Sequence, residues 1–191
     1  VSASTTGDSQ TGRWRATVGA QHSNLFNRDH QITVGYTTSI SQPADVQQFS
    51  ASYSVPLYGL FSSASAYLIT SRASQGTTDV GQISGAGRFW GVSTTTVLSP
   101  VGNYNHRVGF AFDDRVFEND SVFTDLLLSF GVTPPEDVRS RPVSLSYQGR
   151  HESGRRKMNF NVAYVHNLPF GRFNTDARYA DNRIEADATW Q

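Results

Sequence analysis

Apolar and polar residues alternate along most of this chain. From Arg13 onward, Trp14, Ala16, Val18 and Ala20 fall on one side, while Arg13, Arg15, Thr17 and Gln21 fall on the other. Ile32, Val34, Tyr36 and Thr38 then oppose Gln31, Thr33, Gly35 and Thr37, and Phe49, Ala51, Tyr53 and Val55 oppose Gln48, Ser50, Ser52 and Ser54. A helix needs apolar residues at i, i+3, i+4 and i+7, which these runs do not supply; period two predicts strands. Residues 61–72 read as a strand whose facing the pattern leaves open. Trp90, Val92, Thr94, Thr96 and Leu98 share a side within 86–98. Val108, Phe110 and Phe112 oppose Arg107, Gly109, Ala111 and Asp113, and Val143, Leu145 and Tyr147 oppose Ser144, Ser146, Gln148 and Arg150. Met158, Phe160, Val162 and Tyr164 alternate with Asn159, Asn161 and Ala163, and Ile184, Ala186, Ala188 and Trp190 with Arg183, Glu185, Asp187 and Thr189. With a stub over 1–5, the pattern predicts about ten strands, most near the ~9–11 residues of a tilted membrane strand.

The connections differ in length in an ordered way. Short ones over 24–29, 56–60, 99–104 and 151–156 alternate with longer ones over 71–85, from Glu118 to Ser140, and over 167–182. The further connections over 7–11 and 41–46 are shorter. Up-and-down outer-membrane barrels have short periplasmic turns and longer external loops. The connection from Glu118 to Ser140 exceeds the ~12–15 residues usual for a structureless loop. Its centre, Asp125-Leu126-Leu127-Leu128-Ser129-Phe130, is apolar. It either extends the flanking strands above the membrane as a hairpin or tucks over the barrel mouth or into the lumen as a partial cover.

The polarity of the two sides selects the fold class. In a sandwich one face meets another inside and the outside is charged. Here the polar side is mostly Ser, Thr, Gln, Asn and Gly, with scattered charges, as suits a hydrated interior. The expected fold is all-β: an incomplete antiparallel up-and-down transmembrane β-barrel occupying residues 1–191 as a single domain. The candidate lumen-facing residues are Arg13, Arg15, Gln21, Arg107, Asp113, Arg150, Arg183, Glu185 and Asp187. The candidate lipid-facing residues are Trp14, Val18, Val34, Tyr53, Phe110, Leu145, Tyr164 and Trp190. Trp14, Trp90, Tyr147 and Trp190 are expected near strand ends as an interfacial girdle.

Composition sharpens this. Hydrophobic residues make up 37% of the chain, and the formal net charge is +0. Mean hydropathy is -0.42. No run approaches the ~18 apolar residues of a membrane helix, so a span must be built from strands in a closed barrel, where every backbone group is paired. A neutral chain has no global field to recruit nucleic acid. Lys157 is the only lysine. The absence of cysteine removes disulfides, thiol catalysis and thiolate metal sites together.

No pattern points to catalysis, a metal or a cofactor. Gly85-Ala86-Gly87-Arg88-Phe89-Trp90-Gly91 has Trp90 where a dinucleotide fingerprint needs its last glycine, and a strand follows instead of a helix. There is no G-x-S-x-G elbow. His22, His30, His106, His151 and His166 lack zinc-site spacing, although His22 and His30 flank one turn and could face each other. Asp113, Asp114, Glu118 and Asp120 read as a solvated acidic loop, because calcium needs more oxygen ligands in a compact loop.

Several segments resemble the transporters of bacterial two-partner secretion, the haemolysin secretion/activation family. Thr5–Arg15 (TTGDSQTGRWR) looks like that family's first external hairpin, and Ser23–Ile32 (SNLFNRDHQI) like its first periplasmic turn. Tyr53–Gly59 (YSVPLYG) is similar to its Y-S-V-P turn, while Gly87–Val92 and Asp137–Arg150 fit later strands. The resemblance implies a barrel of about sixteen strands, preceded by two periplasmic polypeptide-transport-associated (POTRA) domains. On that reading the POTRA domains, the C-terminal half of the barrel and the V-R-G-[FY] loop motif are not in this chain, which is a fragment or a truncated product.

The resemblance further implies a monomeric integral protein of the bacterial outer membrane that secretes an unfolded partner exoprotein, of haemolysin or adhesin type, through its pore. It implies no enzyme activity and no cofactor. Its partners are the exoprotein and the lipid bilayer, with no nucleic acid. The alternatives are an outer-membrane protein-assembly factor of the same superfamily, a passive porin-like channel, and an outer-membrane barrel hydrolase.

Overall fold

The computed structural model describes residues 2–4, 14–44, 46–72, 75–78, 81–84, 86–118, 137–154 and 156–181. The strands are β1 (Ser2–Ser4), β2 (Arg15–Leu25), β3 (His30–Ser39), β4 (Gln47–Leu57), β5 (Ser62–Ser71), β6 (Gln75–Thr78), β7 (Gly81–Ser84), β8 (Gly87–Val97), β9 (Tyr104–Phe117), β10 (Val138–Ser140), β11 (Pro142–Ser153) and β12 (Arg156–Asn167). The main sheet runs β1-β2-β3-β4-β5-β8-β9-β11-β12, with β10 also on β9; β6 and β7 form a separate hairpin. Every pairing in the sheet is antiparallel, so the chain is an up-and-down meander. Among the described residues the sheet is open, with β1 and β12 at its edges.

The sheet is one layer thick. Buried apolar side chains among the described residues are few: Val46, Ile69, Phe89, Val138 and Tyr179. Large apolar side chains lie open instead, with Trp14 56%, Val18 55%, Leu145 53% and Tyr164 55% exposed. A soluble sandwich would cover these residues with its second sheet. Nothing among the described residues covers them, so their burial depends on an apolar surrounding.

The short connections are tight turns at one end of the sheet. In the β2–β3 turn, Phe26, Asn27 and Asp29 take left-handed φ of 62°, 55° and 57°. The Asn24 side chain holds this turn: its Oδ1 accepts from the Asp29 N–H at 2.9 Å, and its Nδ2 donates to Asn27 Oδ1 at 3.1 Å. A 3-10 turn, Tyr58–Leu60, links β4 to β5. The Tyr58 hydroxyl donates to Asp29 at 2.6 Å, tying two neighbouring turns together. This bond to Asp29 is also the main cause that raises the Tyr58 pKa. Gly102 (φ 57°) and Gly154 (φ 52°) make the turns after β8 and β11, where a residue with a Cβ would be strained.

The longer connections hold more structure than the alternation suggested. The one over 71–85 contains the β6–β7 hairpin. The one over 167–182 contains a short helix, α1 (Asp176–Asp181). Neither carries a recognisable period, since a four-residue strand and a six-residue helix are too short to show one. The apolar centre of the connection from Glu118 to Ser140 lies outside the described residues. Its last residues form β10, which pairs with β9 in the register that β11 continues. The Tyr147 ring sits in the middle of β11, not at a strand end, opposite Val108 of β9, and its hydroxyl meets the Tyr104 hydroxyl (2.9 Å) and His106 Nδ1 (2.9 Å).

Glycines let neighbouring rings close on the sheet. A Cβ on Gly149 would collide with the Tyr104 hydroxyl and the Phe160 ring, which stack at 6.1 Å with planes 10° apart. Gly149→Val should therefore displace both rings and cost ~1–3 kcal/mol, as overpacking does. Urea unfolding in lipid, followed by tryptophan fluorescence and gel mobility, measures this. Wild-type stability of the variant would show that the rings do not rest on Gly149.

Candidate functional site

The register divides the sheet into two faces, because directly paired residues point the same way. One row reads Gln21, Thr33, Ser52, Tyr67, Gly91, Asp113. Arg15 is on the same face through its parity with Gln21. Arg107 pairs with Gln148 and Arg150 with Asn105, both by parity with Asp113. All five described residues read as lumen-facing thus share one polar face. Arg13, Arg183, Glu185 and Asp187 lie outside the described residues.

The opposite face carries the apolar rows. Val18, Tyr36 and Phe49 are aligned, as are Val34, Ala51, Leu68 and Trp90. Tyr53 stands in the row Ile32, Tyr53, Ala66, Val92, Phe112, Val143. Phe110, Leu145 and Tyr164 form another row. Trp14 precedes β2 with the parity of Val18, and Trp190 lies outside the described residues. The row through Leu68 also gives β5 the facing that its own pattern lacked.

The polar face holds its charges by local pairing. Asp113 accepts from the Tyr67 hydroxyl at 2.7 Å and from Arg115 Nη2 at 2.8 Å. Tyr67 reaches Asp113 across Gly91, where a side chain would collide with both. Arg107 Nε donates to Gln148 Oε1 at 2.6 Å, and Arg150 pairs with Glu152.

The acidic cluster departs from the solvated loop expected of it. Asp113 and Asp114 belong to β9, and Glu118 pairs with Arg88 at 2.8 Å; Asp120 lies outside the described residues. Asp114 is 2% exposed and falls on the apolar face opposite Trp90. Arg139 grips both its oxygens (2.8 and 2.5 Å), and Arg141 Nε adds a third bond at 2.9 Å. The signal was present but small. Two adjacent carboxylates in a strand must face opposite sides, and arginines at i and i+2, as in Val138-Arg139-Ser140-Arg141, must share one.

The chain after β12 folds back onto these arginines. Arg141 lies 4.4 Å over the Phe170 ring and donates to the Phe170 carbonyl at 2.8 Å. The Arg139 N–H donates to the Phe173 carbonyl at 2.9 Å, and the Tyr179 hydroxyl to the Arg139 carbonyl at 3.1 Å. The histidines flanking the first turn do not face each other as a pair. His22 Nδ1 accepts from the Asn24 N–H, and His30 Nδ1 meets the Tyr53 hydroxyl at 2.5 Å.

A single antiparallel layer with one uncovered apolar face and one polar face is the wall of a transmembrane β-barrel. The family model "Haemolysin secretion/activation protein ShlB/FhaC/HecB" matches residues 1–131, and the chain belongs to that family. Its members are integral outer-membrane β-barrel proteins of transporter type. No curated protein matches the chain. Among solved structures, it is similar to BamA from Haemophilus ducreyi lacking POTRA domains 1-3, with a TM-score of 0.42 and 13% identity over 86% of this chain. The chain spans 33% of that one.

Two measurements test this geometry. Single cysteines at Val18, Val34, Tyr53, Phe110 and Leu145 should react slowly with water-soluble maleimides in the membrane, and those at Gln21, Arg107 and Ser146 quickly. Equal rates would contradict the division into a lipid face and a water face. Asp114→Ala leaves two guanidiniums without their carboxylate on the apolar face. Removing one partner of a buried ion group should cost about 3 kcal/mol, whereas Asp114→Ala together with Arg139→Leu and Arg141→Leu should recover most of that loss in the same urea titration.

Proposed function

We propose that this chain forms part of the wall of a two-partner-secretion pore, which passes an unfolded exoprotein of haemolysin or adhesin type across the outer membrane. The observation that carries the reading is the chemistry of the polar face. Its rows are dominated by Ser, Thr, Asn, Gln and Gly, and charges such as Asp113 and Arg150 are engaged by neighbours on the same face. An extended polypeptide presents backbone donors and acceptors at every residue. Small hydroxyl and amide groups replace their water without binding any side chain tightly. The apolar face then meets lipid, and the short turns lie on the periplasmic side.

The pore does no covalent chemistry on this reading and uses no nucleotide, since none is available outside the inner membrane. Folding of the exoprotein at the cell surface supplies the direction. The POTRA domains and the rest of the barrel belong to the working protein as further parts of it, and the working unit is a monomer.

Deletion of the full-length gene should leave the exoprotein in the periplasm and remove it from the surface, with the other outer-membrane proteins at normal levels. A general loss of outer-membrane proteins would instead identify an assembly factor. Normal exoprotein secretion with lowered uptake of small solutes would identify a porin.

A further inference from the structure

At the turn end of the polar face, two rows of polar side chains cross the last three long strands. One is Asn105, Arg150 and Asn159; the other, two residues further along, is Arg107, Gln148 and Asn161. They line an open groove of about 830 Å³. The amides of Asn105, Asn159 and Asn161 make no hydrogen bond among the described residues, and all three side chains are exposed. Each amide offers both a donor and an acceptor. Toward the loop end, the floor of the polar face continues as Gly109, Ser146 and Ala163, which leaves room above the two rows.

The spacing of the rows suits one class of ligand. Strand residues rise about 3.3 Å each, so rows two residues apart repeat every ~6.6 Å. An extended polypeptide lying along the strands repeats at the same interval and meets an amide or guanidinium at each repeat. The charge of the site is also one-sided. Among the described residues at this end of the polar face, Arg107, Arg150 and Lys157 stand with one carboxylate, Glu152, which both Arg150 and Lys157 approach, while Asp113 lies toward the loop end beside Arg115. Arg107 has no carboxylate partner among the described residues. Its guanidinium is held in place by Gln148 and is exposed.

We propose that these two rows are a capture site for an extended, acidic stretch of polypeptide at the periplasmic entrance of the pore. The amides would take the backbone of the segment, and Arg107 and Arg150 its carboxylates. The site rests on the secretion reading for its purpose, but its chemistry is testable by itself.

The test is disulfide exchange on purified full-length protein in detergent; these 191 residues contain no cysteine, and any cysteine elsewhere in the protein is first changed to serine. The probes are two short synthetic peptides with a terminal activated cysteine, one of Asp, Ser and Gly and the other of Lys, Ser and Gly. The acidic peptide should couple to Asn161→Cys about tenfold faster than the basic one, as a local basic field dictates. Val162→Cys, on the opposite face, should show no such preference. Adding Arg107→Gln and Arg150→Gln to Asn161→Cys should bring the two rates close together, with the heat-modifiable gel shift of the folded barrel retained. Equal rates at Asn161→Cys, no coupling there, or a preference that survives both arginine changes would overturn the site. Secretion of the exoprotein by the wild type is scored separately; its failure would defeat the secretion reading and leave the peptide result standing.

Discussion

The backbone of a membrane-embedded sheet has no water to satisfy its N–H and C=O groups, so each strand depends on its two neighbours. That requirement explains the simple order of this sheet. Each long strand pairs with the next; the step from β5 to β8 leaves the β6–β7 hairpin outside the main sheet, and the step from β9 to β11 passes the short β10, which pairs with β9 beside β11. Once the pairs are continuous, alternate side chains must go to opposite faces, and the two faces are free to differ completely in chemistry. The stability of the wall then comes from ladder hydrogen bonds and an apolar surrounding, not from a core of its own.

Charges show how strictly this rule operates. On the polar face, Asp113 needs only Tyr67 and Arg115 beside it. One residue along, Asp114 points to the other face, where a lone carboxylate would be costly. Two arginines and a returning chain are recruited to hold it. Arg139 and Arg141 are themselves fastened by Phe170, Phe173 and Tyr179. The ion group therefore ties the segment after β12 to the upper end of β9 and anchors a connection that would otherwise leave the sheet.

The two ends of the wall are built differently. At the turn end, side chains and left-handed residues make compact links, with Tyr58 and Asp29 joining one turn to the next. At the loop end, the connections carry β10, the β6–β7 hairpin and α1. The two ends therefore differ in the chemistry they present. The polar amide rows lie at the compact end, and the ion group that clasps the returning chain lies at the other.

Much of this was determined by the sequence alone. The period-two runs located the strands of the wall, as Trp14 to Ala20 did for β2 and Val143 to Tyr147 for β11. The contrast of the two sides identified a membrane barrel wall, and motifs such as Tyr-Ser-Val-Pro pointed to the family. These features are local and repeat many times, so single errors do not obscure them. Tertiary structure alone decided which strand residues stand opposite each other. It set the facing of β5, whose Ser-Ala-Ser run carries little contrast, and it moved Tyr147 to mid-strand in a bonded cluster. It also took Asp114 out of solvent into a double arginine clasp, and it gathered Asn105, Arg150 and Asn159 into one row from three strands. Register depends on pairing between segments far apart in sequence, and no run of neighbouring residues encodes it.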